Sequence, residues 1–471
     1  MRAALVMVCA ALAGCALQTP PTHPAVVEQA LPQDTRIPPG WRVDPRGGEV
    51  ADNWLKEFND PALEAIVAEA IANNLDLRAA ASKVAIAQQA VVVVGSQLLP
   101  HVGAVLGART TRDEDHDSNF NSTVGYAGVA WEPDVWGRLR AQRAAAGASY
   151  EATALDYAYA RQSLAATTAK LWYLAIETRQ LVALSEQAVQ VYGDLLALVQ
   201  VRRSAGKDSD LDVVDVRAKL EIAQSEVEHA RTAYGETRRA LEVLLGRYPA
   251  AEIEVAAVYP ALPPLGGNGV PSALLERRPD LLAMEREVLA AFRREESAKL
   301  ALLPDFSFSL AGGQLGDQVL SLLHLNPWLA TAGIGVSIPI YEGGALRAKV
   351  EIATAQQAQA VAAYGSVALT AFREVENSLA NEHLLALQLP LEQQAFDDRT
   401  AAVRIASIQY KAGRRDLLWV AQLQEAQIAT EANLIKLRGA QRANRVRLHQ
   451  VLGGSFDATP AATLPTPPPR T

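Results

Sequence analysis

Apolar residues in the middle of the chain recur at alternating spacings of three and four. Leu181, Leu184, Ala188, Val191, Leu195 and Leu198 form one row; Val213, Val216, Leu220, Ala223, Val227, Ala230, Tyr234, Thr237, Leu241 and Leu244 form a second. A heptad seam of this kind predicts two helices packed as a coiled coil, and the short interval around Gly206 makes them an antiparallel hairpin. The spacing predicts a long helix over 138–201 returning to Gly246, and a second over 345–410 that turns at Gly413 and returns to Gly453. At about 1.5 Å per residue, roughly 65 residues span close to 100 Å, a reach no ordinary globular core needs.

Elsewhere the period falls to two. In "LATAGIGVSIPIYEGG" (329–344), Ala330, Ala332, Ile334, Val336, Ile338 and Ile340 alternate with Thr331, Gly333, Gly335 and Ser337, the pattern of a strand with one apolar face and one small or polar face. Stretches 101–111 with 123–135, and 305–314 with 328–341, read as hairpins. Their connections, "RDEDHDSNFN" and "LGDQVLSLLHLNP", are long for hairpin turns and suit exposed loops.

The chain is one unit written twice. "NNLDLRAA" matches "RRPDLLAM" with Asp76 opposite Asp280, and "QLLPHV" matches "ALLPDF" with Pro100 opposite Pro304, both at an offset of 204 residues. Further on, "LRA" at 139–141 meets "LRA" at 346–348, Gly206 meets Gly413 and Gly246 meets Gly453, all at 207. So long a period is a repeated whole unit and not a solenoid. Each unit opens with a helix, expected to be continuous over 61–99 and 271–303, with Asn59, Asp60 or Ser272 suited to the N-cap, Pro61 or Pro271 to the first turn, and Pro100 or Pro304 closing it. The units span 53–246 and 271–453, while the proline-rich segments 15–52, 247–270 and 454–471 read as tethers or wraps, not cores.

A ten-residue strand rises roughly 33 Å and, tilted near 40°, covers about 25 Å, the height of the apolar band on an outer-membrane barrel. The apolar face is therefore expected to meet lipid, since a soluble sandwich would need a second sheet and only four strands are available. Four strands cannot close a barrel, for which eight is the usual minimum. Two chains would give eight strands with a filled lumen; three give twelve and a bore, which the small inward residues favour. The predicted fold is mainly α with a transmembrane β-barrel shared by a homotrimer.

Composition narrows the function. Over 471 residues, 49% hydrophobic and 20% charged, general disorder is excluded, and no run of 18 apolar residues after residue 14 offers a transmembrane helix. A net charge of −8 with dispersed Lys and Arg argues against a nucleic-acid partner. None of the seven histidines has metal-ligand spacing such as HExxH, no thiol lies in the body of the chain, and Gly312-Gly313 and Gly343-Gly344 lack a following Lys-Ser/Thr, so neither catalysis, metal nor cofactor is expected. "MRAALVMVCAALAGC" reads as a signal peptide over 1–14. Cys9 falls in the removed part, which leaves no internal disulfide. Leu12-Ala13-Gly14-Cys15 resembles the bacterial lipoprotein cleavage box, with Cys15 the acylated residue, and Ala16 resembles an outer-membrane sorting signal. At about 0.8 kcal/mol per buried methylene, two or more chains anchor stably.

The lipobox, the doubled order of helix, hairpin and coiled coil, "WEPDVWGRLR" after the first hairpin, "IPIYEGGALRA" after the second and a "YKAG" tip together resemble the outer membrane factor family. These are the TolC-like exit ducts of tripartite efflux pumps, and the lipidated NodT-type members are most similar. The resemblance covers nearly all of the mature chain. It implies a trimeric α-helical periplasmic barrel continued into a 12-stranded β-barrel in the outer membrane of a Gram-negative bacterium. Its implied role is a passive duct in an RND-type system, with a periplasmic adaptor and an inner-membrane transporter as partners. The adaptor would dock at the tips, Ser204, Ala205 and Gly206 with Lys411, Ala412 and Gly413. The resemblance also implies a periplasmic gate at the fifth, sixth and ninth residues after each tip glycine, often aspartates: Leu418, Trp419 and Gln422 in one unit, Leu211, Asp212 and Asp215 in the other. Trp419 and Gln422 depart from the aspartate pattern of a cation-binding ring. Leu418 and Trp419 suit an apolar gate, and Asp212 or Asp416 is expected to pair across helices with Arg414, Arg415 or Lys411, at about 0–1 kcal/mol per exposed pair. The competing function is a lipid-anchored, envelope-spanning coiled coil without a pore.

Overall fold

Ahead of the first unit the chain wraps across the second. The structure, a computed structural model, describes residues 17–113, 118–317 and 328–459; the signal peptide, Cys15, both loop tips and the end of the tail lie outside them. Helix α1 (His23–Ala30) buries Val26 against Val288, Val361 and Tyr364. Trp41 is buried with Leu274, Leu281 and Val375, and its indole N–H donates to Asn268 O (2.7 Å). The short α2 (Trp54–Glu57) carries Trp54 into the core beside Phe58, Trp172 and Leu241. In the linker, Ile253 and Val255 are buried in that same core. These proline-rich segments were expected to stay outside the cores; they wrap, but they also contribute core side chains. Aromatic residues spaced along a wrap bury large area without needing a regular element around them.

The first unit comprises α3 (Pro61–Asn73), α4 (Leu75–Ser96), β1 (His101–Asp113), β2 (Ser118–Trp131), α5 (Arg138–Ser204) and α6 (Asp210–Leu244). The second comprises α7 (Pro271–Arg277), α8 (Pro279–Leu300), β3 (Asp305–Asp317), β4 (Trp328–Ser337), α9 (Ala345–Lys411) and α10 (Leu417–Val451). Where one opening helix was expected, each unit has two. Asn74 is extended between α3 and α4; its Oδ1 accepts from Leu77 N (2.9 Å) and its Nδ2 donates to Leu244 O (3.1 Å). Arg278 is held extended by the proline that follows, and its guanidinium donates to Val451 O (3.4 Å), Asp280 (2.7 Å) and Glu374 (2.9 Å). Leu244 and Val451 are 207 residues apart, so each break ties down the same carbonyl of its returning helix. The N-cap expectation holds for Asp60, which accepts from Leu63 N (3.1 Å), but not for Ser272: Val270 precedes α7 and supplies no side-chain cap.

Helices α5 and α9 are each 67 residues long, about 100 Å, and α6 and α10 return 35 residues. Both hairpins end in the same turn. Gly206 and Gly413 take positive φ (69° and 74°), which lets Lys207 N donate to Arg202 O and Arg414 N to Gln409 O, each at 2.9 Å. Along the first seam Leu184, Ala188, Leu195, Val213, Val216, Ala223 and Leu241 are buried. The four strands form one antiparallel sheet in chain order, the two hairpins joined by a β2–β3 ladder from Ser122↔Asp317 to Trp131↔Phe308. Strand β2 stops at Trp131 and β4 at Ser337, short of the expected 135 and 341, where Pro133 and Pro339 have no N–H to give. At the helix end of the sheet, Leu17 packs on Gly137, where a Cβ would lie 3.4 Å from Leu17 Cδ2.

Candidate functional site

The register sorts the sheet into two unlike faces. Val102 lies opposite Val129, Trp131 opposite Phe308, Phe308 opposite Ile334 and Phe306 opposite Val336, so these apolar side chains share one face. Gly103, Gly107, Ser307, Ser309, Gly333 and Gly335 share the other. On the apolar face Leu106 is 88% exposed and Ile334 80% exposed. Apolar area left in water forgoes roughly 25 cal/mol per Å², so a contiguous exposed face of this kind calls for an apolar medium. At the helix end sit aromatic rings with a polar tie: Trp131 Nε1 donates to Leu98 O (3.1 Å), Trp136 Nε1 to Pro304 O (2.8 Å), and Phe306 lies 6.4 Å from Trp136. Rings with one wet end mark a membrane–water interface. On the opposite face Gly313 admits the neighbouring strand, because a Cβ there would lie 2.2 Å from Gly125 O.

At the far end of the rods the two hairpins pack on one another. Leu195, Val199, Val213 and Val216 of the first meet Ala406, Tyr410, Leu417 and Val420 of the second. A polar lock joins them. Asp208, in the first turn, accepts from Arg202 Nε (3.0 Å) and from the Tyr410 hydroxyl, while the Arg202 guanidinium lies 4.3 Å from the centre of the Tyr410 ring and donates to Tyr410 O (3.3 Å). Burial, reinforced by Asp208, raises the Tyr410 hydroxyl above its ordinary pKa, so it stays a donor. The bond to Asp208 likewise raises Arg202. Eleven residues up α6 from the lock's aspartate, Lys219 donates to Glu425 (2.8 Å) as a second tie between hairpins.

Within one chain the expected gate residues sit near the tips of the rods in differing surroundings. Leu418 is 48% exposed, Leu211 and Gln422 are exposed, and Trp419 is half-buried with the Arg415 guanidinium 4.5 Å from its ring centre. Asp212 and Asp416 do not reach the arginines expected for them. Asp416 caps α10, accepting from Trp419 N (3.0 Å), and Asp212 forms a capping box with Ser209. A side chain that starts a helix already has its strongest partner in the backbone N–H groups two or three residues on. Asp215 is half-buried on α6, and Ser204, Ala205, Gly206, Lys411, Ala412 and Gly413 are all exposed at the tips. The lock escaped sequence reasoning because its partners are over 200 residues apart. A signal existed: the 207 offset sets Asp208 against Arg415 and Tyr410 against Arg203, so the lock lies where the two units differ in charge.

Residues 66–247 and 270–454 match the family described as outer membrane efflux protein. The chain belongs to the outer membrane efflux protein family. The pyoverdine export outer membrane protein OpmQ of Pseudomonas putida is 28% identical over 463 residues, 95% of this chain and 96% of that protein. The toluene efflux pump outer membrane protein TtgF of Pseudomonas putida is 27% identical over 464 residues, 95% of each. Among solved structures, the Campylobacter jejuni CmeC outer membrane channel shares the fold with a TM-score of 0.82 at 19% identity, covering 94% of both chains. As an outer membrane efflux protein, the chain is the channel component of an efflux system, set in the outer membrane of a Gram-negative cell and extending into the periplasm. The apolar face of its sheet meets lipid, and the rods carry the path away from the membrane.

Proposed function

We propose that three copies form a passive duct of a tripartite, RND-type system, joined through a periplasmic adaptor to an inner-membrane transporter. The observation that carries this is the two-faced sheet standing on 100 Å rods: apolar on one face, small and polar on the other, with four strands per chain among the described residues, too few to close a barrel alone. The printed names of two relatives at nearly equal identity cite pyoverdine in one case and toluene in the other, which supports a duct that discriminates little. Purified protein in planar bilayers is expected to give discrete conductance steps. An inserted trimer that carries no current would be the scaffold instead.

The tips are the proposed adaptor site, since both glycine turns are exposed and end in the same geometry. Bulky residues at Gly206 and Gly413 together are expected to abolish adaptor crosslinking and efflux; unchanged crosslinking excludes the tips. Cys15 is the proposed lipid anchor. Leu17, shortly after it in the sequence, packs on Gly137 at the helix end of the sheet, beside the aromatic rings of the membrane–water interface, which supports an anchor there. Mass spectrometry of the mature N-terminus is expected to show an acylated cysteine, and an unmodified one rejects the anchor. Leu418, Trp419 and Gln422 with Leu211, Asp212 and Asp215 are the proposed lining of the periplasmic constriction, with Asp416 as a capping residue beneath it.

A further inference from the structure

We infer that the wall of the duct carries a binding groove, between α5, α6 and α10 on the membrane side of the constriction, that takes a small amphipathic anion lengthwise: its charged end at Lys436, its apolar body along Leu184 and Ala188, and an acceptor oxygen at Tyr192. This rests on the duct and the constriction lining proposed above.

The groove forms because α6 and α10 both pack on α5 and only marginally on one another. It encloses about 490 Å³, inside the roughly 300–1,000 Å³ of small-molecule sites. Along α5 it runs from Thr178 to Tyr192, about 20 Å at 1.5 Å per residue. Leu184, Ala188, Tyr192 and Ala223 are buried in its floor, with Ile428 against them. The two alanines leave depth that larger side chains would fill.

Two donors stand open in this apolar slot. Tyr192 is 6% exposed, yet among the described residues its hydroxyl has no hydrogen-bond partner. Burial, reinforced by Glu425 and Asp215, pushes its pKa up to about 12, so it keeps its proton and needs an acceptor. At the other end Lys436 makes no ion pair or hydrogen bond among the described residues. Glu177, close enough to feel that ammonium, is raised to about 7 by burial and offsets it only in part near neutral pH. Lys219 is already paired with Glu425 (2.8 Å) and adds no net charge. Glu226 and His229 stand on the α6 rim in solvent, where the Glu226 carboxylate opposes an anion weakly through water.

The heptads place the groove on the face that the constriction residues present. From Asp212 the row runs through Lys219 and Glu226 to Ala233, from Asp215 through Ile222 to His229, and from Leu418 through Glu425 to Ala432. Residues seven apart keep to one side of a coiled-coil helix.

The test uses the full-length protein in lipid nanodiscs, with Ala432→Cys as a reporter in the groove wall and the parent's maleimide labelling subtracted. The probe is (6-methoxynaphthalen-2-yl)acetate, compared with its neutral methyl ester and with the matching naphthylethylammonium cation. At saturation the acetate is expected to slow labelling at least five-fold, and the other two much less. Lys436→Gln should raise the half-protecting concentration about ten-fold, Tyr192→Phe a few-fold, and Glu226→Gln should lower it. No protection by the acetate, or equal protection by the cation, overturns the inference. In planar bilayers the acetate is expected to cut the open-channel current of the parent and not of Lys436→Gln. Protection without any effect on current puts the groove outside the bore and overturns its place in the duct wall. Protein that gives no conductance steps at all overturns the proposed duct itself, a result separate from the labelling rates.

Discussion

Replacing Asp208 with alanine is expected to raise the open probability of the channel about tenfold or more per released lock. The carboxylate is the shared acceptor of the Arg202 guanidinium and the Tyr410 hydroxyl, so its loss frees the Tyr410 hydroxyl from the first turn and leaves Arg202 only its bond to Tyr410 O and its contact with the ring. A hydrogen bond to a charged group contributes about 1.5–3 kcal/mol, and each 1.4 kcal/mol is a factor of ten in an equilibrium. Three locks per trimer would therefore hold the tips firmly, while one is weak enough for a docking partner to break. Asp208→Asn keeps an acceptor for Tyr410 and is expected to open less. Single-channel recordings in planar bilayers measure the effect, with far-UV circular dichroism to check that the helices persist. The apolar constriction predicts a different signature: Leu418→Ala with Trp419→Ala widens the pore, raising conductance per opening more than the time spent open. Unchanged gating in Asp208→Ala, beside a larger conductance in the double variant, would assign the gate to the apolar residues and leave the lock a purely structural tie.

Acid is expected to destabilise the protein through His449. This imidazole is buried, stacked on Trp54 with ring centres 5.7 Å apart and 6.2 Å from Phe58, and burial together with the nearby Arg445 pushes its pKa down to about 4. The unfolded chain returns it to about 6.5. A base whose folded pKa is depressed contributes stability that is present above about pH 6.5 and lost as pH falls toward 4, here up to about 3 kcal/mol over the whole window. Glu57, 3.9 Å away, works in the opposite sense, because burial raises its carboxyl and favours the fold at the acid end. The clean measurement is therefore a comparison. Thermal unfolding of the parent should fall by more between pH 7 and pH 5 than that of His449→Gln, and parallel curves would remove the histidine as the cause.

Much of this architecture was legible because its signals are periodic and doubled. The heptads located both rods to within a few residues of Ser204 and Lys411, and the alternation of Ile334 and Val336 with Gly333 and Gly335 announced a sheet with two media. What stayed hidden was aperiodic. The breaks at Asn74 and Arg278 interrupt the backbone without interrupting the apolar pattern, since burial continues on both sides. Trp41 and Ile253 sit in segments whose composition reads as linker, although single apolar side chains there fill a core. The aspartates near the tips divide their work in a way the sequence did not show: Asp212 and Asp416 cap their own helices, and Asp208, opposite Arg415 of the other unit, joins the hairpins.

The matching turns at Gly206 and Gly413 have an evolutionary consequence. Six identical half-chains could build a ring with six equivalent tips, but any acid placed at one tip would then stand at all six, and a pairing of unlike residues between neighbours could not be favoured at alternate seams alone. Fusion of two halves into one gene removes that constraint, because each half can then mutate separately while the seams keep their shared geometry. The tie from Asp208 to Arg202 and Tyr410 needs such a difference, since the second unit places Arg415 and Gln409 where the first has Asp208 and Arg202. Lowering the symmetry from six-fold to three-fold thus admits a tie between unlike hairpins that six identical tips could not carry.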